Sequence, residues 1–129
     1  MKDLRLTIKI NKPVIEVFEF TTNPKNTPLW VNSIIYEETN EWPVKLGSTY
    51  KNKDRQKNWS SYEVTKFEKD KIFIFSKKNS SYHVKYTFTS LSPTETELEY
   101  FEWVDGGELA DPFTIDTLQK LKNLMENSK

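Results

Sequence analysis

The chain has 129 residues, with nineteen basic and nineteen acidic side chains, no cysteine and one histidine. That length suits a single domain spanning 1–129 around one core, and the charge balance excludes the basic footprint of a nucleic-acid binder or of a protein drawn to anionic lipid. With 36 % apolar but 14 % aromatic residues, much of the interior must be built from rings, and the missing thiols exclude disulfides and thiolate metal sites.

The opening MKDLRLTIKI alternates Leu4, Leu6, Ile8 and Ile10 with polar residues, the period of a strand buried on one face. It lacks the continuous apolar run of a signal peptide or membrane span, so a cytoplasmic protein without membrane insertion is expected. Asn11 and Pro13 then signal a short helix whose apolar face carries Val14, Ile15, Val17, Phe18 and Phe20, and Asn23-Pro24 signals a second that Pro28 keeps to about a turn. From Ser33 the chemistry is that of strands: Ile34 to Thr39, Ser48 to Asp54, Asn58 to Phe67, Lys71 to Lys77, Ser81 to Ser90 and Thr94 to Val104, separated by turn signals. Short spacing predicts an antiparallel meander. Gly106-Gly107 turns the chain into a final helix, predicted from Asp111 as cap to Asn127, with Phe113, Ile115, Leu118, Leu121, Leu124 and Met125 on one half of its wheel. Such a helix needs an apolar partner, and the sheet is the one available. The class is therefore α+β: a seven-stranded antiparallel sheet curved around a C-terminal helix, with two short helices after the first strand.

Pro13, Glu16-Val17-Phe18, the segment NPKNTPLW ending at Trp30, Gly47-Ser48-Thr49-Tyr50, Tyr62-Glu63-Val64-Thr65, Tyr86-Thr87-Phe88 and LQKLKNLMEN occur in an order that resembles the START-like (SRPBCC, polyketide cyclase-like) superfamily along essentially the whole chain. The resemblance implies a helix-grip architecture with an internal cavity, and Trp30 matches the tryptophan that packs where the small helices meet the sheet. Members include lipid carriers, aromatases and cyclases, hormone receptors and activators of a heat-shock ATPase, so the fold leaves function open. The closing helix looks shorter than in the large lipid carriers, which argues against a very large ligand.

Strand parity sorts the candidate residues. Tyr82, Val84, Tyr86 and Phe88 should face the helix, leaving His83 on the outer face, where a general base has no pocket to work in. If Leu98 faces the helix, so do Tyr100 and Glu102, and a buried carboxylate is too costly to be incidental. Phe101 and Trp103 then point outward as a candidate homodimer contact. Tyr50, Tyr62, Tyr82, Tyr86 and Tyr100 suggest hydroxyls around an apolar space, joined by Trp30 and Phe88, with Thr114, Thr117, Leu118 and Leu121 offered from the final helix. Glu37-Glu38 reads as solvated charge. No phosphate loop, metal spacing or cofactor motif is present, and no cofactor is expected. The leading expectation is a binder of a small, largely apolar molecule between sheet and C-terminal helix. The alternatives are a cyclase- or aromatase-like enzyme using Glu102 and the cavity tyrosines, and an interaction module like the heat-shock ATPase activators.

Overall fold

Alternating burial along the first strand, rising to full burial at Ile10, marks one face of a sheet in the computed structural model, which describes residues 1–127. This strand, β1 (Asp3–Ile10), is followed by α1 (Val14–Thr22), α2 (Thr27–Trp30), β2 (Ile34–Thr39), β3 (Thr49–Asp54), β4 (Trp59–Glu68), β5 (Ile72–Lys77), β6 (Tyr82–Ser92), β7 (Glu95–Val104) and α3 (Ile115–Glu126). The seven strands form one antiparallel sheet in the order β1-β7-β6-β5-β4-β3-β2, a meander whose last strand pairs back onto the first. The α+β helix-grip class expected from the sequence is what the chain forms, with strand limits within two residues of those expected.

The hairpin turns obey their local chemistry. Asp70 and Asn79 sit at positive φ, which short polar side chains tolerate, and Asp54 Oδ1 accepts the backbone N–H groups of Gln56 and Asn58 to close the β3–β4 turn. The helix starts differ from expectation. Asn11 does not cap α1: its N–H donates to Glu126, and Pro13 occupies the cap position. Asn23 accepts from Lys25 N–H in an Asx turn, while Pro28 lies in the first turn of α2 rather than ending it.

The largest correction concerns the final helix, which begins at Ile115 with Thr114 as its N-cap residue, not at Asp111. Phe113 explains the delay. Its N–H donates to Glu102 on β7 and its ring stacks on Tyr100 at 4.4 Å, so the chain is held against the sheet before it can coil. Ile115, assigned to the inner half of the wheel, is 47 % exposed, whereas Leu118, Leu121 and Met125 are buried. They join Ile10, Val17, Phe18 and Leu98 in the core. Helix α3 packs against β1, α1 and α2. Among the described residues, no helix is long and apolar enough to cross a membrane.

Candidate functional site

The paired inner faces of β6 and β7 set the floor of the site. Pairing of β6 with β7 puts Tyr86 opposite Tyr100 and Val84 opposite Glu102, all turned inward. The same alternation sends His83, Phe101 and Trp103 to the outer face. There His83 stacks on Trp103, Trp103 on Phe101, and the Arg5 guanidinium covers Phe101 at 4.4 Å. His83 Nδ1 lies 2.6 Å from Ser76 Oγ and Nε2 lies 2.7 Å from Asp105 Oδ2. The residue types of a hydrolytic triad thus meet, but on a sheet surface whose strand N–H groups are committed to the ladder.

Inside the curl of the sheet is a cavity of about 480 Å³, bounded by inner faces of β2 to β7, by α2 with the end of α1, and by the segment leading into α3. Trp30, Tyr50, Tyr62, Tyr82, Tyr86, Tyr100 and Glu102 line it, as do Phe73, Phe75 and Phe113. The rings support one another edge to face, as Tyr50 does with Phe73 and Phe75, and Trp30 with Tyr86 and Phe113. Phe88, Leu118 and Leu121 are buried in the core without reaching the cavity wall. Thr114 is exposed and Thr117 half-buried, and neither lines the space. No residue of α3 does. Its short apolar face is spent on β1, α1 and α2, so the cavity lies beside the helix, under the 106–113 segment, rather than between helix and sheet.

Glu102 is 1 % exposed. Its Oε1 accepts the Tyr82 hydroxyl at 3.1 Å and its Oε2 accepts Phe113 N–H at 2.9 Å, while the Tyr82 and Tyr100 hydroxyl oxygens are 3.5 Å apart. A carboxylate and two phenols therefore form a short chain at one end of the cavity.

A second carboxylate was not anticipated. Glu37, expected to be solvated, is 7 % exposed and lines the other end of the cavity. The Thr27 hydroxyl donates to its Oε1 at 2.6 Å and Asn52 Nδ2 to its Oε2 at 3.2 Å. Burial pushes its pKa up from 4.5 to about 7, against the lowering effect of those two hydrogen bonds. The reason it escapes a parity reading is a bulge in β2 between Ile34 and Tyr36. Counting from inward Ile34, strict alternation turns Tyr36 in and Glu37 out; the extra residue reverses this, and Tyr36 is 48 % exposed. A charged residue paired directly with Asn52 on an inner face was the available signal, once the bulge is known.

Burial raises the pKa of every cavity tyrosine, that of Tyr62 to about 12, so all five are hydroxyl donors at neutral pH. Tyr50 donates to the Thr22 carbonyl. Trp30 Nε1 and Thr21 Oγ1, both in the cavity lining, are buried without a hydrogen-bond partner among the described residues. Among the described residues no group of three or more His, Asp or Glu side chains converges as a metal site.

A curved seven-stranded sheet, a closing C-terminal helix and a ring-lined chamber define a helix-grip fold. Solved structures agree. The chain aligns over 98 % of its length with 47 % of the di-domain ARO/CYC protein BexL of the BE-7585A biosynthetic pathway (TM-score 0.76, 14 % identity). It aligns over its full length with 49 % of DynU16 from the dynemicin biosynthetic locus (TM-score 0.71, 19 % identity). It also matches 99 % of the chain of the Aha1 dimer from Colwellia psychrerythraea (TM-score 0.70, 15 % identity). The chain thus spans about half the length of BexL and DynU16 and nearly all of the Aha1 chain. At these identities the likeness is one of fold. No protein-family model and no curated protein matches the sequence.

Proposed function

We propose that this chain binds a small, largely apolar molecule in the chamber between the sheet, α2 and the 106–113 segment. The observation that carries this reading is a cavity of about 480 Å³ walled by rings but furnished with buried polar atoms that lack partners, Trp30 Nε1 and Thr21 Oγ1. Apolar walls supply affinity: a ligand hiding about 200 Å² of apolar surface gains roughly 5 kcal/mol before the costs of association. Tyrosine hydroxyls and the two carboxylates supply orientation. Native mass spectrometry of the protein purified from its own cells, followed by extraction, is expected to find a retained low-mass compound in stoichiometric amount. Absence of any adduct, together with failure to take up a neutral hydrophobic dye, would overturn the reading.

The Glu102–Tyr82–Tyr100 chain favours a second reading, a cyclase- or aromatase-like reaction in which these groups move protons on a confined substrate. Glu102→Gln, which keeps an acceptor for Phe113, is then expected to abolish turnover while the fold persists; unchanged turnover removes this reading. A homodimer through Phe101 and Trp103 completes the proposal, and sedimentation of wild type and Trp103→Ser tests it: a dimer that the substitution does not dissociate uses another surface.

A further inference from the structure

We infer that the cavity's ligand carries a positively charged nitrogen together with a hydrogen-bond acceptor, an organic cation on an apolar or aromatic body. The inference rests on the small-molecule reading above and adds the charge of the molecule. Among the described residues, five carboxylates line the cavity, Glu37, Asp54, Glu102, Glu108 and Asp111, against one ammonium, that of Lys77. Glu108 pairs with the ammonium of Met1, and Asp54 is occupied in its turn. Glu37 and Glu102 differ from these. Both are more than nine-tenths buried, and among the described residues neither forms an ion pair.

Each of their four oxygens accepts one hydrogen bond, and every donor is neutral: a threonine hydroxyl, an asparagine amide, a tyrosine hydroxyl and a backbone N–H. A carboxylate offers about four lone-pair sites, so roughly half of the acceptor capacity in the chamber remains open. Buried charge is ordinarily matched by an opposite charge, and among the described residues none pairs with either carboxylate. The walls favour the same solution, because the faces of Tyr50, Tyr86 and Trp30 attract cations and reject anions. A second and independent observation fixes the acceptor. The indole N–H of Trp30, 1 % exposed and without a partner, is a donor only, and it belongs to the same lining. A plain hydrocarbon leaves all of these groups unsatisfied. A carboxylate-bearing ligand meets two like charges.

Three compounds of one skeleton separate the possibilities: tyramine, cationic; tyrosol, neutral; and hydroxyphenylpropionate, anionic. Each is titrated at pH 8 against the protein loaded with the neutral dye N-phenylnaphthylamine. Tyramine is expected to displace the dye at about tenfold lower concentration than tyrosol, the ratio that one charge-assisted hydrogen bond confers, and the anion is expected to be weakest. Glu37→Gln and Glu102→Gln, tested separately, should shrink the tyramine preference in at least one case, the preference being read as the ratio of tyrosol to tyramine displacement concentrations in the same variant. If dye and tyrosol bind but tyramine holds no advantage, or if the advantage survives both substitutions, the cation assignment is overturned and the cavity reading stands. If neither the dye nor any of the three compounds binds, the cavity reading falls and takes this inference with it.

Discussion

Glu37→Gln tests the placement of the second carboxylate through stability rather than through binding. In the unfolded chain a glutamate titrates near 4.5, whereas in the folded protein burial holds Glu37 at about 7. Between these values the folded state binds the extra proton, so the sign is fixed: wild-type stability falls as pH rises through this window and levels off above the folded pKa. Integrating the two titrations from pH 5 to pH 8 gives a loss of roughly 2–3 kcal/mol from this one group. Glutamine has no proton to lose, and with the Asn52 amide flipped it can keep both neighbours as partners. Urea unfolding of wild type and variant at a series of pH values is the assay. Groups remote from Glu37 titrate alike in both proteins and cancel in the difference. The variant should therefore gain on the wild type by roughly 2–3 kcal/mol between pH 5 and pH 8, seen as diverging urea midpoints. Parallel profiles across that range would refute the argument, because they would mean that the carboxylate ionises freely and is not enclosed.

Leu118→Ala should cost about 2–5 kcal/mol in urea unfolding, since its side chain is fully buried where α3 meets the core, while Thr117→Ala one residue earlier should cost under about 1 kcal/mol. Equal effects would mean that the helix face is misassigned. Tyr50→Phe should cost about 1–3 kcal/mol in the same assay, because it strands the buried Thr22 carbonyl; a neutral result would show that water reaches that group. His83→Ala should cost less than about 1 kcal/mol and leave dye uptake unchanged, as its hydrogen bonds to Ser76 and Asp105 lie on the outer face. A loss of dye uptake in that variant would place the binding space on the wrong side of the sheet.

Strand parity carried the reading of this chain a long way, and its failures have local causes. Leu98, Tyr100 and Glu102 share a face because no irregularity interrupts β7 between them, so alternation counted from Leu98 reaches Glu102 correctly. The tyrosines of β6 follow by the same count. Helical periodicity found the buried seam of α3 at Leu118, Leu121 and Met125 but overran its start, since a capping signal at Asp111 competes with a hydrogen bond from Phe113 to a strand eleven residues earlier. That partner is tertiary, and local propensity does not contain it. The extension of the helix also misplaced Thr114 and Thr117. Glu37 was hidden for a related reason: its direction depends on a bulge set by pairing with β3, and its donors come from Thr27 and Asn52, ten and fifteen residues away.

That bulge gives β2 an unusual leverage over what the chamber can accept. With the same residues paired in even alternation from Ile34, the strand would present Tyr36 and Glu38 to the interior and send Glu37 to water, replacing one acid by a phenol at that wall and by a different acid farther along. The polarity of the compartment is therefore encoded partly by how many residues the backbone spends crossing one point of the edge strand. Gaining or losing a single residue there would change the polarity of that wall while leaving every ring of the opposite wall untouched.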